Sequence, residues 1–160
     1  EKGWNALGEP GEAFDRAASA LLYGQAEVNV IQLIRELGEC ERTAEWAQLV
    51  PWYSAKLRGE EAALAADLPQ IQAHIVECEA LLKQLRDLGD DARFTDLGLA
   101  AQAILLLNKT VLLLNDKAGF GRDELQRAWE AWIPAYESAW LRDNKPSQLS
   151  KVTQFIRDLL

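Results

Sequence analysis

Apolar residues along the 160-residue chain recur at three- and four-residue steps in almost every segment longer than ten residues, and nothing alternates with period two over a strand length. That pattern predicts an all-α protein. After a turn at Glu9-Pro10-Gly11, the residues Phe14, Ala17, Leu21, Leu22, Val28, Ile31, Ile34 and Leu37 form one helical stripe that Gly38 would cap, with Gly24 as a weak or kinked point. Thr43 is placed to cap a second helix, whose stripe is Trp46, Leu49, Val50, Tyr53 and Leu57, bent at Pro51 and ended by Gly59.

Asp67-Leu68-Pro69-Gln70 has the form of a capping box with proline in the tolerated first turn, and Ile71, Ile75, Cys78, Leu82 and Leu85 follow down one face to Gly89-Asp90-Asp91. Thr95 can open a fourth helix over 96–117. Its interior is apolar nearly all round, as expected of a helix enclosed by others. Gly119-Phe120-Gly121 stops it, a fifth helix covers 123–142 with Pro134 inside, and a short amphipathic helix through Leu149, Val152, Phe155, Ile156 and Leu159 ends the chain. Short connections between such elements predict an up-and-down bundle of five or six helices, read as one domain over 1–160.

The charge narrows the partners. The chain carries 17 Lys plus Arg against 25 Asp plus Glu, a net charge of −8, with all of that excess falling in residues 1–119. Nucleic acid is not an expected partner, because binding phosphates takes a basic face. Neither is a membrane: the apolar run from Ala103 to Leu114 is interrupted by Asn108-Lys109-Thr110 and is shorter than the roughly 20 residues of a span.

Candidate chemistry is sparse, and no cofactor or metal site is expected. Cys40 and Cys78 are too few for a disulfide framework and lack a metal-type spacing, so they read as packed thiols. The single histidine, His74, stands where a di-iron Glu-x-x-His motif would need Glu at position 71, which is Ile. It reads as an edge-of-core histidine. A small thiol enzyme using Cys78 one turn from His74 is the third-ranked reading. Asp123-Glu124 falls at a helix start, where negative charge is favoured and adjacent side chains diverge by about 100°. Gly119-Phe120-Gly121 lacks the Gly-Lys-Ser/Thr ending of a phosphate loop.

The six tryptophans are unusual for a helical chain of this size. Trp129, Trp132, Tyr136 and Trp140 align on one face, and Trp46, Trp52 and Tyr53 gather around Pro51. Such a face packs in a core or an interface more readily than it serves sugar rings, yet it is the candidate docking or sugar-stacking surface: Trp52, Trp129, Trp132, Tyr136 and Trp140. Trp52, off its helix's stripe, is the expected exposed contact.

Both ends carry a resemblance. Glu1-Lys2-Gly3-Trp4-Asn5, then Phe14 and Tyr23-Gly24, resemble the stretch that closes the catalytic barrel in family-20 glycoside hydrolases, the β-N-acetylhexosaminidases, and the residues that follow it. Trp140-Leu141-Arg142-Asp143-Asn144-Lys145-Pro146-Ser147, with Leu149, resembles the Trp-Leu-x-x-Asn-basic-Pro-Ser/Gly ending of bacterial members. About 35 residues are covered. The resemblance implies a C-terminal helical accessory domain, with 1–11 as the tail of a preceding (β/α)₈ barrel, in an enzyme that removes terminal N-acetylhexosamine. The implied partners are that barrel and a second copy in a homodimer, docked by the Trp132–Trp140 helix. The family's catalytic Asp-Glu pair lies in the barrel, so this chain alone is expected to have no activity. An independent helical interaction or sensor module is the alternative.

Overall fold

The computed structural model describes residues 11–25, 27–64, 67–89 and 91–159; the Glu1–Asn5 stretch and the start of the Glu9-Pro10-Gly11 turn lie outside them. The protein is all-α, and the described residues contain no strand. In chain order the helices are α1 (Glu12–Tyr23), α2 (Val30–Glu41), a π-helical stretch π1 (Arg42–Leu49), α3 (Val50–Leu57), α4 (Leu68–Asp87), α5 (Ala92–Leu114), α6 (Arg122–Asp143) and α7 (Leu149–Asp158). The chain divides into two compact units, residues 1–38 and 39–160.

In the first unit the expected single helix is two. Gly24 adopts φ +69°, and its amide bonds to the Ala20 carbonyl, a left-handed cap that ends α1. Gly38, the expected cap, lies within α2. What α1 buries is polar. The Asp15 carboxylate accepts two hydrogen bonds from Arg35 Nη2, at 3.0 and 2.9 Å. Buried Ser19 donates to the Asp15 carbonyl and accepts from the Ile31 amide, tying the start of α2 to α1. The expected apolar stripe of α1 points the other way: Phe14 is 47% exposed, Leu21 84%, and Ala17 is exposed as well.

The second unit is the helical bundle. Asp67 caps α4 by accepting from the Gln70 amide at 3.2 Å, as the capping box predicts. Asp91, not Thr95, caps α5: its carboxylate accepts from the Arg93 amide at 2.9 Å, and the Thr95 hydroxyl is left to bond back to the Asp91 carbonyl. The loop between α4 and α5 is so short that these long packed helices are antiparallel neighbours. By length and composition, α5 is apolar enough over Arg93–Leu114 to cross a membrane. Here it packs against α4, α6 and π1, with Ile104 to Leu107 buried on all sides. Two of its buried polar side chains bond back along the helix, Asn108 Nδ2 donating to the Ile104 carbonyl and Thr110 to that of Leu106. Around it gather Leu49, Ile71, Leu125, Trp129, Trp132, Ile133, Ile156 and Leu159, side chains of a size that contributes about 1.5–3 kcal/mol each on burial.

The π stretch replaces the expected break before the second helix. Thr43 caps nothing; its hydroxyl bonds back to the Glu39 carbonyl at 3.0 Å. The Val50 amide reaches five residues back to Glu45, and Pro51, which has no amide to give, follows at once. Burial keeps the same step: Ala44 and Leu49, five apart, are buried where an α-helical stripe would have used Trp46.

Candidate functional site

The aromatic face of α6 is built by its three- and four-residue spacing, and the bundle consumes half of it. Trp129 is 2% and Trp132 5% exposed, so both pack in the core, and both line the groove that Tyr136 and Trp140 share. Each has its indole satisfied, Trp129 donating to Thr110 Oγ1 at 3.3 Å and Trp132 to the Leu99 carbonyl at 2.9 Å. Their ring planes stand nearly perpendicular at 5.5 Å, whereas Trp132 and Tyr136 stack at 4.6 Å and 14°. Those ring faces are spent on each other. Tyr136 and Trp140, half-buried, carry the row outward to a groove of about 440 Å³ lined by Leu99, Ala103, Val152 and Phe155. Burial pushes the Tyr136 hydroxyl's pKa up.

Glu41, Glu45 and Asp96 also border this groove. Burial, and next the charge of Glu41, raises the Glu45 carboxyl above its ordinary range. Asp96 pairs through Oδ2 with Arg142, while its Oδ1 is buried without a partner. Trp52, the expected exposed contact, is half-buried against the core with the Lys56 ammonium 5.0 Å from its ring centre. Among the described residues the open tryptophan is Trp46, 60% exposed, its indole donating to Glu41 at 3.3 Å. The π stretch is the reason, since helical-wheel reasoning at 3.6 residues per turn puts position 46 on the wrong face.

The residues that resemble the family's ending form one compact helix exit. The Trp140 indole donates to the Lys145 carbonyl at 2.9 Å, and the Asn144 amide donates to the Trp140 carbonyl at 2.8 Å. Pro146 presents its carbonyl to the Leu149 amide as α7 begins. Trp140, Arg142 and Asn144 also line the groove. Asp123 and Glu124 lie exposed in the first turn of α6, where the helix dipole favours them.

A second constellation escaped the sequence reading. Buried Cys40, at the end of α2, meets α4 at His74 and Glu77, and one ligand-capable atom from each of the three lies within 4.8 Å of the others. The Cys40 thiol donates to Glu77 at 3.6 Å. The neighbouring Cys78 thiol and burial push the Cys40 pKa up, and the presence of Cys40 lowers that of Cys78. Nδ1 of His74, a residue only 9% exposed, is buried with no partner. Spacing alone shows His74, Glu77 and Cys78 on one helix face, but only the fold brings Cys40 to them. Set against family models, curated proteins and solved structures, the chain matches none.

Proposed function

We propose that this chain is a helical accessory region, without catalytic residues of its own, of a longer family-20-like glycoside hydrolase, docked on the catalytic barrel that precedes it. The observation that carries the reading is the outward apolar face of α1. A helix that buries Asp15 and Ser19 while exposing Phe14, Ala17 and Leu21 gains by acquiring a cover, since each large side chain removed from water is worth about 1.5–3 kcal/mol. The stretch that resembles the end of a barrel, Glu1–Asn5, precedes this helix in the sequence, which supports a barrel as the cover. The docking face accordingly moves from Trp132, which is core, to α1. Further support comes from the other end of the resemblance, where Trp140 to Pro146 form a compact helix exit of hydrogen-bonded turns.

The gene sequence upstream of Glu1 is the first test: it should encode a barrel strand end and an Asp-Glu pair, and the longer protein should release aryl alcohol from aryl N-acetylhexosaminides. The 160-residue chain should release none. Turnover by the pure chain, lost in Glu124→Gln, would overturn the reading. An upstream sequence without a barrel would leave α1's face to a separate protein partner, the interaction-module alternative.

A further inference from the structure

We propose that Cys40, His74 and Glu77 form a site for a zinc-class divalent cation. The proposal is independent of the glycoside hydrolase reading. Thiolate, imidazole and carboxylate are the ligand types zinc takes, and four of them in tetrahedral array make a closed structural site. With zinc–sulfur bonds of about 2.3 Å and zinc–nitrogen bonds of about 2.0 Å, tetrahedral neighbours stand roughly 3.5 Å apart. The Cys40 sulfur is already 3.6 Å from Glu77 Oε2, and all three donors fall within 4.8 Å. Closing the set therefore asks the donors to come together by about an ångström more.

Two further observations point to a ligand. His74 is nine-tenths buried, yet Nδ1 has no partner, and an unsatisfied buried nitrogen costs about 1–3 kcal/mol unless something completes it. The backbone that carries the thiol is also held in place: Asn108, fully buried in α5, donates to the Cys40 carbonyl at 3.3 Å as well as to that of Ile104. His74 and Cys78 are one helical turn apart, and Glu77 falls between them on the same side. On binding, Cys40 exchanges its proton for the metal; the proton leaves to solvent, the sulfur–metal bond forms, and nothing is oxidised or reduced.

The test is titration of the reduced, metal-free protein with Zn²⁺, followed by calorimetry and by proton release, and in parallel with Co²⁺, followed by absorbance. One equivalent of Zn²⁺ is expected to bind with at least one proton released, and Co²⁺ to give a thiolate-to-cobalt charge-transfer band with tetrahedral ligand-field bands. His74→Gln and Glu77→Gln should each weaken binding at least about 10-fold, and Cys40→Ser about 100-fold or more. The wild-type cobalt spectrum requires no substitution, so it decides even if a variant fails to fold. Uptake below one equivalent, cobalt bound without a sulfur charge-transfer band, or affinity unchanged by His74→Gln would each overturn the site.

Discussion

α1 and α6 are both amphipathic helices with aromatic or aliphatic residues at helical spacing, yet they meet opposite fates. In α6 the regular row of rings is turned inward, and Leu125, Trp129, Trp132 and Ile133 enter the largest apolar cluster of the second unit. In α1 the burial falls on Asp15 and Ser19, and the apolar residues face solvent. Periodicity identifies a face that needs covering; it does not say what covers it. For α6 the cover is α5 and α7, whereas for α1 the proposed cover is the rest of a longer protein.

The strongest way to break this contrast is Trp129→Ala. Removing a buried indole leaves a cavity and takes away the hydrogen bond that Thr110 Oγ1 accepts, and should cost about 3–5 kcal/mol in denaturant unfolding, a large part of a domain's usual 5–15. A cost below 1 kcal/mol would show that the α6 row is not core. Next comes Arg35→Met in the first unit. The guanidinium is half-exposed while the Asp15 carboxylate is buried, so removing the arginine strands a charge and should cost about 2–3 kcal/mol, whereas Asp15→Asn lets Arg35 reach water and should cost about 1. Equal costs would contradict the asymmetry.

Glu45→Gln should have a smaller, pH-dependent effect. Because burial raises the folded-state pKa of Glu45, the folded protein holds that proton more tightly than the unfolded chain. Its contribution to stability therefore falls as pH rises from the ordinary carboxylate value through the raised one, and is lost above it. Unfolding measured across that range should show this decline in the wild type and its absence in Glu45→Gln. The smallest effect is expected on the outward face, where Leu21→Gln should change the stability of the 160-residue chain by less than about 0.5 kcal/mol. In the proposed longer protein the same substitution should lower the melting temperature of the joined domains.

Much of the second unit was legible from sequence because its signals are local. The Asp67 box, the all-round apolar interior of α5, the proline inside α6 and the stripe of α7 each depend on residues within a few positions of one another. Where two local signals competed, the stronger acceptor won, as Asp91 did over Thr95. The π stretch was illegible because wheel reasoning assumes 3.6 residues per turn, and it put Trp46 inward. The sidedness of α1 depends on a half-buried ion pair twenty residues apart, and the thiol, imidazole and carboxylate cluster on a contact between Cys40 and a helix beginning almost thirty residues later. No spacing rule encodes either.

The π stretch from Arg42 to Leu49 also bears on how this chain tolerates changes of length. A helix wound with one extra residue per hydrogen-bonded turn holds a surplus, and losing one residue there lets the ordinary ladder close without separating α2 from α3. The same deletion in α5 would rotate half of the helix at the centre of the core by about 100° and turn its packed side chains out of register. Insertions and deletions between homologous chains should therefore collect at 42–49 and avoid the bundle centre.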